Sequence, residues 1–331
     1  MYIALQLHIT GKCNLRCKHC YIEEHAKELS YKEVKRAIKQ FNSLIRRMKK
    51  VYHENVFSQL RITGGEPFLH KDILKILRLA RRTRHFVVIM SNGTVFNKDI
   101  FQSLKRIERL QAVQVSMDGK EDTHDRLRGN GNFKKVIQGL DLLNKHGIPT
   151  RVSFTAHLNN YKEFPDVAEV CREKKVATLW SDRYIPFHDN PIKAIDAEHM
   201  EDYISVLREV RYNAKNENAG LFVENYRALQ FIGSADTPYS CKAGEALITV
   251  DEHGDIMPCR RLPIVCGNIN NTNLRDVYFK NACFRELREH KVDERCQACK
   301  YVDSCKGGAR CMSYATSDDY ISADPGCFLT L

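Results

Sequence analysis

Residues 2–20 read YIALQLHITGKCNLRCKHC. The first eight, Tyr2–Ile9, are apolar and β-branched enough to predict a strand, and the remainder reads as a polar loop opened by Gly11. That loop carries three cysteines, Cys13-x3-Cys17-x2-Cys20, just past the strand's carboxyl end. Ligand sites of parallel α/β folds lie at that edge. A strand that delivers three thiols there predicts a metal-bearing α/β protein.

The pattern continues outward from this stretch. Further strands are predicted at Phe57–Thr63, His85–Met90, Ala112–Met117, Thr150–Ala156 and Thr178–Ile185. Amphipathic helices lie between them. One opens with the capping box Ser30-x-x-Glu33 and carries Val34, Ala37, Ile38, Phe41, Leu44, Ile45 and Met48 at helical spacing. Another runs Phe133–His146 and stops at Gly147. Six βα units imply a parallel sheet with right-handed crossovers. Six are too few for the closed eight-stranded barrel, so the fold class expected is α/β, an open partial (β/α)6 barrel over 1–216. Residues 217–240 read as a bridge. From Cys241 to 331 the composition turns to cysteine, glycine and turn residues, which predicts a small domain with little apolar core and metal in its place. The other strand ends carry Gly64-Gly65-Glu66-Pro67, Ser91-Asn92-Gly93, Ser116-Met117-Asp118-Gly119 and Asp182-Arg183, which places them on one edge with the cysteine loop.

Composition narrows the chemistry. The 331 residues contain 13 cysteines, an odd number, with no export signal, so a reducing, cytoplasmic setting and metal binding are expected rather than disulfides. No apolar run is long enough for a membrane helix. The net charge of +11 favours an acidic partner, although the basic residues are spread over predicted helices as solvated faces, which disfavours nucleic acid. The three-cysteine loop leaves one iron of a [4Fe–4S] cubane open to a non-protein ligand. The alternative is a zinc site completed by His19 or His25.

The C-x3-C-x2-C loop after the first strand resembles that of the radical S-adenosylmethionine superfamily. The resemblance implies that Cys13, Cys17 and Cys20 hold a [4Fe–4S] cluster whose open iron is chelated by S-adenosylmethionine. Gly64, Gly65 and Glu66 match the family's GGE motif, which helps hold the methionine amino group. The stretch 115–129 resembles a segment that contacts the cofactor in relatives, and implies Ser116 for the ribose and Arg128 for the methionine carboxylate. His19 is expected near adenine, and Ser91, Asn92 and Asp118 join the same site. The implied chemistry is reductive cleavage to a 5′-deoxyadenosyl radical that abstracts a substrate hydrogen, with a reductase, flavodoxin or ferredoxin as electron donor.

The tail resembles the SPASM extension, which holds two auxiliary [4Fe–4S] clusters. By that resemblance Cys296, Cys299, Cys305 and Cys327 bind the outer cluster, and Cys241 and Cys259 belong to the inner one. The family's next cysteine would fall at Ala309. Either Cys311 serves from a shifted turn or that ligand is missing, and Cys266 is a candidate fourth ligand. Cys171 and Cys283 are left over, Cys171 as buried packing. Zinc ribbons are the alternative for the tail.

The leading expectation is a maturase acting on a ribosomally made precursor peptide by crosslinking, thioether formation or epimerisation. Arg260 stands where sulfatase-maturing relatives carry a carboxylate base, which argues against that reaction. Arg260 and Arg261 are read either as contacts for an acidic group of the peptide or as counter-charges to a cluster. Only twelve residues precede Cys13, so either a separate leader-binding protein presents the peptide or the barrel mouth and bridge recognise it. The alternatives are a radical enzyme acting on a small cofactor precursor or tetrapyrrole, and a zinc-stapled RNA-binding protein without catalysis.

Overall fold

The computed structural model describes residues 1–22, 26–187, 191–216, 220–224, 229–233 and 239–329. His25 and the bridge segments 217–219, 225–228 and 234–238 lie outside the described residues.

The chain runs β1 (Tyr2–His8), α1 (Tyr31–Tyr52), β2 (Phe57–Thr63), α2 (Ile73–Arg81), β3 (Phe86–Ser91), α3 (Lys98–Lys105) and β4 (Leu110–Ser116). It continues with α4 (Glu121–Arg128), α5 (Asn132–Lys145), β5 (Thr150–Ala156), α6 (Phe164–Glu173), β6 (Thr178–Arg183), α7 (Ala197–Asn216) and β7 (Phe222–Glu224). The tail adds β8 (Leu247–Val250), β9 (Ile256–Met257), α8 (Leu274–Lys280), α9 (Ala282–Glu289), α10 (Glu294–Gln297), α11 (Val302–Cys305) and α12 (Arg310–Ser317). The architecture is α/β with a mostly parallel, open sheet, and all six strands expected from the sequence are present within a few residues of their expected ends.

The chain forms two compact units. The first comprises Met1–Asn14, Ile22–Gln114 and Lys242–His290; the second comprises Leu15–Tyr21, Val115–Cys241 and Lys291–Leu331. A division between the units falls between Cys241 and Lys242, next to the expected start of the tail, whereas residue 216 lies inside the second unit.

In the first unit β1 is central, buried from Ile3 to His8, with β2 parallel on one side and β8 parallel on the other. β3 extends the sheet beyond β2, and β9 pairs antiparallel with β8. The capping box forms as predicted: the Ser30 side chain accepts from the Glu33 N–H while Glu33 accepts from the Ser30 N–H at 2.8 Å. The seven apolar residues read from the sequence are the ones α1 buries. The expectation of little apolar core beyond Cys241 is corrected here. Ile248, Val250, Ile256, Leu274, Val277, Tyr278, Phe284 and Leu287 are all 5% exposed or less. Gln40 of α1 donates to the Ile269 carbonyl and accepts from the Leu274 N–H, both at 3.0 Å, which seats α8 on α1. Each such apolar side chain contributes on the order of 2 kcal/mol of burial. The two strands and two helices that supply them, none longer than eight residues, are too short to show a period among cysteines and glycines.

In the second unit β6 pairs in parallel with both β5 and β7. The buried Tyr203 hydroxyl of α7 meets Ser181 of β6 at 2.8 Å and accepts from Gln230 at 2.9 Å. Helix α5 ends one residue before His146, with Gly147 in the left-handed region at φ +66°, the stop expected from its position. No helix among the described residues is long and apolar enough to cross a membrane.

Candidate functional site

In the first unit the loop after β2 is built against the loop after β1. The Gly65 N–H donates to the Thr10 carbonyl and the Glu66 N–H to the Lys12 carbonyl, both at 2.7 Å. A Cβ on Gly64 would stand 2.3 Å from the Thr10 oxygen, and one on Gly65 would stand 2.5 Å from the oxygens of Gly11 and Lys12. The paired glycines are therefore required by the backbone that leads into Cys13.

Glu66 is fully buried, and its carboxylate accepts from the Phe68 N–H (3.2 Å), the Asn92 N–H (2.7 Å) and the Ser91 hydroxyl (3.0 Å). Asn92 passes the connection on: its amide donates to Asn14 Oδ1 at 2.9 Å and to the Cys13 sulfur at 3.7 Å. Glu66 thus acts on Cys13 through Ser91 and Asn92 and ties the β2 and β3 loops to the first cysteine. Burial pushes the Glu66 carboxyl from 4.5 up to about 7, against the pull of those three hydrogen bonds. A raised acid favours the folded state fully below its unfolded value of 4.5, and that contribution is lost as pH rises through 7. Iron-free protein is expected to lose on the order of 3 kcal/mol of unfolding free energy from this group between those limits. Glu66→Gln should flatten that part of the curve in denaturant titrations at stepped pH. An unchanged slope would assign the loss to other groups.

In the second unit Cys17, His19 and Cys20 meet the end of β4 and helix α4. The Lys18 N–H donates to the Leu127 carbonyl at 2.9 Å, which sets the loop on the helix. Arg128 is 8% exposed, so its pairing is internal. Its Nε donates to Asp118 Oδ2 at 2.6 Å, its Nη1 to the Cys17 sulfur at 3.8 Å, and its Nη2 lies 3.3 Å from His19 Nε2. Asp118 also accepts from the Thr155 N–H at 2.8 Å. Burial raises the Asp118 carboxyl, but the Arg128 guanidinium and His19 beside it hold it well below the usual carboxylate range. Burial lowers His19 and His124 to about 4, so both rings are neutral at pH 7. The His19 ring is nearly enclosed at this junction, with no partner at Nδ1 among the described residues. Ser116 is half-buried at the last position of β4. The sequence reading missed Asn160 and Glu163. Asn160 donates to the Asp118 carbonyl at 3.0 Å, and Glu163 accepts from the Lys120 N–H at 2.7 Å. Neither stands in a motif, so only tertiary contact reveals them.

A cavity in this unit is lined by Cys296, Cys299, Cys305 and Cys327, the four thiols that the resemblance assigns to the outer cluster. Asp324, also in the lining, organises it. Its carboxylate accepts from the Ala309 N–H (2.8 Å) and the Gly326 N–H (2.9 Å), and is paired twice by Arg183 from the end of β6 (2.9 and 2.5 Å). Burial pushes the Cys305 thiol up to about 12 and raises Cys296 and Cys327 for the same first reason. Four thiols lining one cavity suit a metal centre, which binds cysteine as thiolate and releases the protons on binding. Among the described residues no three His, Cys, Asp or Glu side chains close on a single ion. A cubane asks for a wider ring, because each cysteine binds a different iron.

The remaining sequence candidates fall as follows. Cys259 and Cys266 lie half-exposed in the first unit, and Cys241 half-exposed at the edge of the second. Cys311 is buried among Ile185, Met312, Phe187, Ala194, Ala309 and Ala315. Cys171 is fully buried on α6. Arg260 matches neither reading given for it. Its guanidinium donates to Asp251 at 3.0 Å and Glu252 at 2.8 Å, all three being nearly buried, so its charge is engaged inside the first unit.

Comparison with known proteins adds independent findings. The Radical SAM superfamily matches residues 7–171, and the SPASM iron–sulfur cluster-binding domain matches residues 241–300. The AdoMet-dependent heme synthase of Nitratidesulfovibrio vulgaris is 26% identical over 351 residues, covering 96% of this chain and 90% of that protein. The AdoMet-dependent heme synthase of Methanosarcina barkeri is also 26% identical, covering 96% and 94%. Among solved structures, Streptococcus suis SuiB bound to S-adenosylmethionine superposes with a TM-score of 0.81 at 18% identity, covering 99% of this chain and 78% of SuiB. That likeness concerns the fold, a partial barrel followed by a cysteine-rich domain.

Proposed function

Because this chain belongs to the radical SAM superfamily and carries a SPASM domain, with [4Fe–4S] clusters and S-adenosylmethionine as its cofactors, we propose that it acts on a tetrapyrrole or a similar small cofactor precursor. The observation that carries this reading is the end-to-end similarity to two heme synthases, 96% of this chain against 90% and 94% of theirs. A net charge of +11 supports it, since porphyrin precursors bear carboxylate side chains. When bound, the cofactors supply a 5′-deoxyadenosyl radical that takes a hydrogen atom from the substrate.

The chain's own residues do the holding. Arg128, kept charged and fixed by Asp118, offers a buried cation beside Cys17. Asn92, fixed by Glu66, donates to Cys13. Hydrogen bonds to cysteine sulfur tune the potential of such clusters. Neutral His19 and His124 stand beside the Asp118–Arg128 pair without adding charge to it.

A second reading, a precursor-peptide maturase, is favoured by the likeness to SuiB, which has also been solved bound to the precursor peptide SuiA. The two readings separate in one anaerobic assay with dithionite and S-adenosylmethionine. An iron coproporphyrin should stimulate 5′-deoxyadenosine formation and change in mass. Stimulation by a peptide alone, with the tetrapyrrole unchanged, would overturn the first reading in favour of the second.

A further inference from the structure

The thirteen thiols divide by exposure: Cys171 and Cys311 are buried, and the other eleven are half-exposed. One three-cysteine loop and two four-cysteine clusters need eleven ligands. The sequence pattern reached that number with Cys311 and left Cys283 over. The structure reverses their surroundings. Cys311 packs in the second unit among Ile185, Met312 and Phe187, the environment of a cysteine that serves as a small apolar side chain. Cys283 lies on the first turn of α9 in the first unit with its thiol beside that of Cys266, whose Sγ donates to the Ile264 carbonyl at 3.4 Å.

The backbone of the first unit brings Cys259 to the same neighbourhood. The Cys266 N–H donates to the Ile256 carbonyl at 2.8 Å, which ties the Cys266 segment to β9. Cys259 follows β9 by two residues and is turned back by the Leu262 N–H, which donates to its carbonyl at 3.0 Å. The preceding Pro258 carbonyl accepts from the Gly244 N–H at 3.3 Å. Gly244 in turn lies against α9: a Cβ there would stand 2.9 Å from Leu287 and 3.6 Å from Phe284, the residue after Cys283. Three cysteines thus sit on adjoining segments of one unit.

We propose that Cys283 is a ligand of the inner auxiliary [4Fe–4S] cluster together with Cys266 and Cys259, and that Cys311 is packing. On binding, each of these thiols gives up its proton and forms a bond to a different iron.

Iron and sulfide counts on the reconstituted full-length protein test this without reference to turnover. Cys283→Ala should fall from about twelve irons per chain to about eight, as should Cys266→Ala, while Cys311→Ala stays near twelve. Loss of four irons in Cys311→Ala with Cys283→Ala unchanged overturns the assignment. Native alkylation of the unsubstituted holoprotein provides a second measurement if a variant does not fold. Cys283 should resist iodoacetamide while iron is bound and react after chelation. Reaction of Cys283 in the iron-loaded protein, or resistance that persists after chelation, overturns the proposal.

Discussion

Replacing Cys13, Cys17 and Cys20 together by alanine is expected to remove about four of twelve irons per chain and to reduce 5′-deoxyadenosine formation to background. The size of the effect follows from where the three thiols stand. They occupy the loop that β1 delivers to the ligand edge. Cys13 is reached by the Asn92 amide at 3.7 Å and Cys17 by the Arg128 guanidinium at 3.8 Å, so both sulfurs have side-chain donors directed at them. The tail cysteines supply two further sets, one around the Asp324 cavity and the other proposed at Cys259, Cys266 and Cys283, so the iron-dependent absorption near ~400 nm should persist at about two thirds of its strength. Cleavage of S-adenosylmethionine by the triple variant would show that this loop does not carry the cofactor.

Asp118→Asn is expected to be the most damaging single change to the cofactor side of the second unit. The carboxylate is fully buried and neutralises Arg128 at 2.6 Å, and removing one partner of a buried pair leaves an uncompensated charge costing about 3–5 kcal/mol. Asparagine keeps an acceptor for the Thr155 N–H, so the loss belongs to the charge and not to the turn. Arg128→Met in the same background should restore much of the unfolding free energy in denaturant titrations, because no buried cation remains. It should not restore binding of S-adenosylmethionine, which is followed by equilibrium dialysis. If Arg128→Met binds the cofactor as tightly as the unsubstituted protein, the carboxylate-binding role given to Arg128 is wrong.

Part of this site is legible in the amino-acid order and part is not, and the division has physical causes. The three-cysteine spacing is legible because metal ligands on one loop must lie close in sequence. The α1 face is legible because a 22-residue helix repeats its apolar stripe many times. Glu66 is legible as important but not in its manner of acting. That its carboxylate meets Ser91 and Asn92, rather than standing open, depends on two loops brought together by the parallel pairing of β2 with β3. Arg260 is misread from its spacing for a related reason. Its neighbour Cys259 suggests a cluster or a substrate, yet Asp251 and Glu252, nine and eight residues earlier, reach it across the β8–β9 hairpin.

The sequence by itself determined the order of βα units, the capped first helix, the cysteine loop and the number of cysteines available to iron, because each is a local or periodic property. Only the tertiary structure decided which buried charges pair and which thiols meet. Arg183 finds Asp324 from 141 residues away, and Cys283 finds Cys266 through helix α9. A side chain's partner is fixed by packing in three dimensions, where residues distant in the chain compete for the same buried space, and no spacing along the chain records the result of that competition.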